Sequence, residues 1–276
     1  MNPVALPEKM LYSTVLIETQ NSRGTGFFFN FKINDITVIP VIITNKHVVN
    51  NNTNQDVFMT FHIKRNDFND ETNVRCFVNA EWIFHDNQDL CFCFFEPLCQ
   101  QIEKIHGIRP FYIPIEENLI FDDEKLKVLS AVEDVMMVGY SIGLYDEKNN
   151  YPIFRRGITS SHPAIDFNNK NIGLVDMACF PGSSGSPIFI YNENGYTYKN
   201  GTTYLGGKRL IFLGVMFSIP VYNAEGNLEV IEIPGSQTIK VNTQIMTNLG
   251  YYIKAEEIFA LKEKALKIYE NQKTNE

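Results

Sequence analysis

Residues 180–187 carry the sequence FPGSSGSP, and they lie between two apolar segments, residues 173–179 and 188–191. The glycines and the final proline of this stretch allow sharp backbone turns, in which two N–H groups can point at one spot beside a hydroxyl. A serine between glycines in such a turn is typical of a nucleophile, with Ser184 as the candidate and the N–H groups as an oxyanion hole. A plain Gly/Ser turn between strands is the commoner origin of such a string, so the assignment requires partner residues.

Composition indicates a globular chain. The 276 residues suit one large domain or two small ones, and 44% of them are hydrophobic, with 21 Phe and 13 Tyr that favour strands. A net charge of −8 argues against a nucleic-acid partner or an acidic membrane surface. The longest apolar run, residues 38–43, is too short to cross a bilayer. Residues 1–13 lack the basic start and long apolar stretch of a signal peptide.

Cysteine usage indicates a reducing compartment. The odd number of cysteines argues against a disulfide framework and favours free thiols in a cytoplasm; they are Cys76, Cys91, Cys93, Cys99 and Cys179. No His or Cys pair at ligand spacing has a second pair to match it, so we expect no metal site. Nothing in the sequence indicates a cofactor.

Two series of short apolar segments, bounded by turn residues, predict strands. The first series lies at residues 11–19, 24–29, 36–44, 57–63, 74–82 and 89–95, and such a series suggests a closed antiparallel barrel. The second lies at residues 128–132, 134–140, 152–160, 171–179, 186–191, 209–218 and 249–253. A less regular connector is expected at 96–127, turn-rich insertions at 192–208 and 219–238, and one helix at 255–269.

The positions of the histidines limit the class of serine hydrolase to which the chain can belong. All five precede Ser184, which excludes an α/β-hydrolase, whose histidine follows the serine. His47 has the best local case, because it follows a buried apolar strand that can fix its ring at a barrel rim. Asp89 opens an apolar strand, as a buried carboxylate that orients an imidazole requires, although a turn residue at a strand start is the plainer role. A catalytic triad in the chain order His, Asp, Ser therefore remains possible.

Four motifs, in this order, resemble those of the trypsin-like serine peptidases. They are GTGF at residues 24–27, ITNKHVV at 43–49, Asp89-Leu90, and GSSGSP at 182–187. The likeness spans roughly residues 11–260 and is greatest to the bacterial HtrA-type (DegP-like) peptidase domain. We expect no PDZ-like module after the helix, unlike the usual HtrA arrangement.

The resemblance implies an all-β fold: two six-stranded antiparallel β-barrels, chymotrypsin-like, with a C-terminal α-helix. Residues 1–115 would form the barrel that carries His47 and Asp89, residues 116–253 the barrel that carries Ser184, and residues 254–276 the helix and tail.

The resemblance also implies roles for individual residues. His47 would be the general base, Asp89 would orient it, and Ser184 would be the nucleophile. The backbone N–H groups of Gly182 and Ser184 would form the oxyanion hole. Ser183 stands where digestive members carry an acid that pairs with a freshly cut N-terminus, so activation by that ion pair is not expected.

The same likeness implies a pocket for the substrate side chain that precedes the cut. Its residues would be Ala178, Met216, Ser218, Ile219 and Gly250. Because none is charged, we expect a modest apolar pocket that accepts Val, Ala, Leu or Met and rejects charged residues.

Three functions follow as hypotheses. The first is a cytoplasmic serine endopeptidase that acts on a protein or peptide substrate, with gating by a possible regulatory protein partner. The second is a catalytically silent barrel used as a protein-binding module. The third, an enzyme dependent on Cys179, is weaker, because a cysteine at such a position is more often a small buried apolar residue.

Overall fold

The computed structural model of the chain describes residues 3–20, 22–65, 70–141, 144–227 and 240–274. After a short helix, α1 (Leu6–Met10), the first sheet contains β1 (Thr14–Glu18), β2 (Arg23–Lys32), β3 (Val38–Thr44), β4 (Val57–Arg65), β5 (Asp70–Val78), β6 (Ile83–Phe84), β7 (Cys91–Phe94) and β8 (Ile115–Glu116). Antiparallel ladders run in the order β5-β4-β1-β2-β3-β7-β6, and β8 pairs in parallel with β2. The two-residue strands β6 and β8 are additional to the six predicted strands, because segments so short show no alternation.

The first sheet curls around its own apolar core. This core includes Val15 of β1, Met59 of β4 and Cys91 of β7, all of which are buried. Trp82, in the link between β5 and β6, is buried in the same core, and its indole N–H donates to the Gln55 carbonyl at 3.1 Å. The link between the two edge strands therefore packs into the core that the sheet encloses.

The second half of the chain forms a barrel. Two helices come first, α2 (Glu96–His106) and α3 (Asp123–Leu126), followed by β9 (Asp134–Gly139), β10 (Ile153–Thr159), β11 (Ile172–Asp176), β12 (Pro187–Asn192), β13 (Gly195–Thr197), β14 (Thr203–Leu205), β15 (Arg209–Ser218), β16 (Val221–Asn227), β17 (Lys240–Met246), β18 (Leu249–Lys254) and the last helix, α4 (Ile258–Thr274). Six of these strands close a barrel in the order β10-β11-β18-β15-β12-β9. The predicted fold class is confirmed: mainly β, with a closed six-stranded barrel and a C-terminal helix.

Each predicted insertion contributes to a hairpin. The insertion at 192–208 holds the β13–β14 hairpin, and β16 pairs with β17 over residues 221–227 and 240–246. Most of the second predicted insertion, residues 228–239, lies outside the described residues.

The connector contains an unpredicted helix. Helix α2 has Pro97 in its first turn, where a missing N–H costs nothing, so the proline starts a helix there rather than breaking one. Gly107 ends the helix with a φ of 72°, and its N–H donates to the Glu103 carbonyl at 2.7 Å. Its buried face, with Leu98 and Ile102, covers the core of the first sheet.

The predicted strand at residues 128–132 is wrong, because this segment forms turns. Its polar groups find local partners instead of a ladder: the Leu129 N–H donates to the Leu126 carbonyl at 3.1 Å, and the Ser130 N–H donates to Glu133 Oε1 at 2.8 Å. Leu129 is nevertheless fully buried, which explains the apolar pattern.

A further core joins the two halves and the last helix. Phe27 of β2 and Phe212 of β15 meet there edge to face, with ring centroids 5.5 Å apart. Helix α4 contributes Ile258, Leu261 and Ala265 to this core, three of the positions that predicted its buried face. The domain boundaries at residues 115 and 253 stay a prediction.

Candidate active site

His47 and Asp89 meet at the rim of the first sheet. After β3 ends at Thr44, residues 46–49 form one turn of 3₁₀ helix that carries His47. His47 Nδ1 lies 2.5 Å from Asp89 Oδ2, and the His47 N–H donates to Asp89 Oδ1 at 3.2 Å. Asn45 fixes the carboxylate's backbone, because its side-chain amide donates to the Asp89 carbonyl at 2.7 Å. The His47 side chain remains 41% exposed, so its ring is accessible to a substrate.

The serine stretch, residues 180–187, folds into consecutive tight turns before β12. Gly182 and Gly185 have φ values of 89° and 83°, in the left-handed region that side chains other than glycine rarely adopt. The first turn is closed by the Ser183 N–H, which donates to the Phe180 carbonyl at 3.0 Å. The glycines singled out in the sequence are therefore needed for the backbone path.

Thr25 ties the serine stretch to the first sheet. The Thr25 N–H donates to the Ser184 carbonyl at 2.9 Å, and the Thr25 carbonyl accepts from Thr44 Oγ1 at 2.7 Å. The approach at Gly185 is so close that a Cβ there would lie 1.9 Å from the Thr25 carbonyl oxygen. Because Thr44 lies three residues before His47, these contacts bring Ser184 to the rim that carries the histidine.

Ser183 is held by hydroxyl contacts. Its side chain is buried, with Oγ 2.7 Å from Ser141 Oγ, and it accepts from the Phe180 N–H at 3.3 Å. A neutral hydrogen-bonded pair therefore stands at the position next to the candidate nucleophile.

Among the described residues, two backbone N–H groups of the serine stretch have no acceptor. Within the described part of the chain, neither the Gly182 N–H nor the Ser184 N–H donates to a protein acceptor. An oxyanion hole requires two such donors next to the nucleophile.

A sequence model of the trypsin-like peptidase domain matches residues 24–196, more than half of the 276 residues. The chain belongs to the trypsin-like peptidase domain family. The match covers the segments with His47, Asp89 and Ser184 and ends before β15 of the peptidase domain. No curated protein sequence matches the chain.

Solved structures similar to this peptidase domain include two proteases and an inactivated protease paralogue, all of low sequence identity. An inactive form of the Rv3671c protease, a Mycobacterium tuberculosis protein, is 16% identical, with coverage of 92% of this chain and 89% of that chain and a TM-score of 0.42. A human astrovirus serine protease is 14% identical, with coverage of 88% and 89% and a TM-score of 0.41. A scabies mite inactivated protease paralogue is 11% identical, with coverage of 94% and 96% and a TM-score of 0.48.

A cavity of about 260 Å³ adjoins the candidate nucleophile. Of the predicted pocket residues, Met216, Ser218 and Ile219 line it together with Ser184. The lining also includes residues that the sequence did not single out: Phe180, Pro181, Ser183 and Phe217.

The other two predicted pocket residues do not line this cavity. Ala178 is half-buried and lies two residues before Phe180, which lines the cavity. A Cβ on Gly250 would lie 2.5 Å from Met216 Cε and 2.6 Å from Cys179 Sγ, so these two side chains occupy the space above the glycine. Gly250 thus makes room for Met216.

The described residues give little support to a cysteine nucleophile, a metal site or a membrane-spanning helix. Burial raises the pKa of the Cys179 thiol to about 12, which opposes formation of a nucleophilic thiolate. No group of three or more His, Cys, Asp or Glu side chains in the described ranges could hold a metal ion. None of the helices described is long and apolar enough to span a membrane.

Proposed function

We propose that the chain is a serine endopeptidase with the triad His47, Asp89 and Ser184. The observation that carries the proposal is the 2.5 Å contact between His47 Nδ1 and Asp89 Oδ2, at the rim to which Thr25 ties the Ser184 turn. That contact leaves Nε2 as the proton acceptor, and the carboxylate stabilises the imidazolium that forms.

In the proposed reaction, Ser184 Oγ attacks the peptide carbonyl carbon while its proton passes to His47 Nε2. The oxyanion receives hydrogen bonds from the N–H groups of Gly182 and Ser184. The tetrahedral intermediate collapses, the amine leaves with the proton from His47, and water then hydrolyses the acyl-enzyme through the same groups. Apolar side chains in the lining of the cavity, such as Met216 and Ile219, support cleavage after small or medium apolar residues.

The proposal also includes a cellular compartment, a substrate class and a regulatory partner. All five cysteines are free thiols, which supports a cytoplasmic location. The substrate would be a protein or peptide, and a regulatory protein partner would limit the activity. The particular likeness to HtrA-type domains stays a prediction.

A serine-reactive fluorophosphonate probe tests the activity directly. Wild-type protein should be labelled and Ser184→Ala should not, because the probe bonds to an activated hydroxyl. Absence of labelling in a folded wild-type protein that still binds peptides would favour the second candidate, a catalytically silent binding module.

A further inference from the structure

Arg155 is a cation that the second barrel turns toward its interior. In the β9–β10 ladder Arg155 pairs with Met137, and residues opposite each other in a ladder share one face of the sheet. Met137 is buried in the core of the second barrel, so the Arg155 side chain lies on the interior face. Its neighbour Arg156 lies on the other face and is exposed.

The guanidinium of Arg155 lies against a wall of the cavity beside Ser184. Its Cζ is 4.8 Å from the centroid of the Phe180 ring, and Phe180 lines that cavity. Arg155 is itself half-buried. Its charge adjoins the cavity through Phe180, because Arg155 itself is not among the residues that line it.

Within the described residues this charge lacks an anionic partner. Arg155 Nε is buried and makes no hydrogen bond there, and no carboxylate of the described chain lies within 4.0 Å of the guanidinium. A partly buried cation without a counter-charge is unfavourable, and it favours binding of an anion from outside.

The charge of Arg155 also acts on Cys179, which neighbours a residue of the cavity wall. Burial raises the pKa of the Cys179 thiol, the charge of Arg155 opposes that rise, and the carboxylate of Asp176 adds to it. Cys179 Sγ adjoins the space above Gly250 that it shares with Met216, and Met216 lines the cavity. Asp176 is exposed, so it is more solvated than Arg155.

We propose that the charge of Arg155, across the Phe180 ring, attracts the carboxylate of a substrate side chain in this cavity, so that Glu is the preferred residue before the cut. The inference rests on the proposed function and names its substrate class. The walls accept the methylenes of Glu, and they admit Met or Leu as weaker substrates. Glu is favoured over Asp because its longer side chain reaches farther toward the charge beside Phe180. This ranking places Glu above the small and medium apolar residues named in the proposed function and departs from the expected rejection of acidic residues, while the expected rejection of Lys and Arg is kept.

Matched peptides that differ only at the residue before the cut test the preference. The kcat/KM for Glu should exceed that for the isosteric Gln by about tenfold, because the charge of Arg155 attracts a carboxylate and not a neutral amide. In Arg155→Gln this Glu/Gln ratio should fall to near one, whereas Arg155→Lys should retain part of it. Arg156→Gln, a loss of the same charge one residue along, should keep the wild-type ratio.

Binding to Ser184→Ala separates this inference from the proposed function. Fluorescence anisotropy with the same peptides should show Glu bound about tenfold more tightly than Gln, and Arg155→Gln in the Ser184→Ala background should remove the difference. A Glu preference in binding without any hydrolysis or probe labelling of wild type would overturn the peptidase proposal and leave the role of Arg155 intact. Equal binding of Glu and Gln, or a preference that survives in a folded Arg155→Gln variant, would overturn the role of Arg155.

Discussion

Ser183 and Ser141 form a buried hydroxyl pair, with 2.7 Å between their Oγ atoms, at the residue that precedes the candidate nucleophile. Ser183 also accepts the Phe180 N–H, so the turn before Ser184 is held by groups that belong to the continuous chain. No new N-terminus is required to complete this arrangement.

The full-length chain should react with a fluorophosphonate probe without prior cleavage. The physical reason is that neutral hydroxyl contacts already hold the turn. Intact mass spectrometry before and after labelling provides the measurement. Labelling that occurs only after N-terminal trimming would show that the turn matures by another route.

Ser183→Ala should slow probe labelling and lower stability by about 1–3 kcal/mol, because Ser141 and the Phe180 N–H lose a buried partner. Ser186→Ala is the matched control: Ser186 is also buried in this stretch, but its Oγ makes no hydrogen bond with any described residue. Denaturant unfolding should therefore leave Ser186→Ala near wild type. Equal losses in both variants would mean that the Ser183–Ser141 contact contributes nothing specific.

The triad variants should differ in severity. Ser184→Ala and His47→Ala should each lose roughly a million-fold in kcat, as when a nucleophile or its base is removed. Asp89→Asn should retain more activity than His47→Ala, because it disturbs the tautomer and orientation of the base without removing it. Peptide hydrolysis measures these rates, and His106→Ala, which changes an exposed histidine of α2, is the control. Full activity in His47→Ala would assign the base to another residue.

Stability should fall on acidification because of His85. Burial lowers the pKa of His85 below its ordinary value of 6.5 and outweighs the Glu257 carboxylate, which lies 3.0 Å from Nε2 and raises that pKa. The His85 Nδ1 accepts the N–H groups of Asn87 and Gln88 at 3.1 and 2.9 Å. As pH falls below 6.5, the unfolded chain takes up a proton at this site that the folded chain does not, so the free energy of unfolding decreases. The slope is limited to about 1.4 kcal/mol per pH unit for one proton.

The measurement is denaturant unfolding at pH 7.5 and pH 5.5. His85→Gln should lose less stability between these values than wild type, while His106→Gln should behave as wild type because the ring of His106 is exposed. An unchanged pH dependence in His85→Gln would assign the acid sensitivity to other groups.

Gly185→Ala should be far more damaging than Gly201→Ala. Both glycines have positive φ, 83° and 86°, but a Cβ would meet the Thr25 carbonyl at Gly185 and open space at Gly201. Gly201→Ala should cost about 1–2 kcal/mol from backbone strain alone, and Gly185→Ala about 3–5 kcal/mol with loss of probe labelling. Similar melting temperatures for the two variants would refute the close approach.

Much of the fold was predictable because burial of one face imposes a pattern on the chain. Apolar segments bounded by turn residues identified β1, β2, β3 and β4, and helical spacing at Ile258, Leu261 and Ala265 identified α4. The pattern failed where turn chemistry or capping decides the structure, as at α2 and at residues 128–132. Neither a proline in the first turn of a helix nor a buried Leu129 in a turn alters hydrophobic periodicity.

Site residues were predictable where the local backbone conformation requires a particular residue type. The glycines around Ser184 and the apolar strand before His47 leave such marks. Arg155 leaves none, because two adjacent arginines in a strand look alike in the sequence. Only the register with Met137 shows which of the two faces the barrel interior.

The packing of Phe27 against Phe212 has a consequence for how this chain can change over evolutionary time. The triad candidates are divided between the two halves of the chain, and the core that joins those halves sets their mutual alignment. A substitution that alters volume in this seam should shift one half against the other and so alter turnover without a contact to any substrate. Mutational drift in activity should therefore accumulate at this aromatic seam, as well as around the cleft.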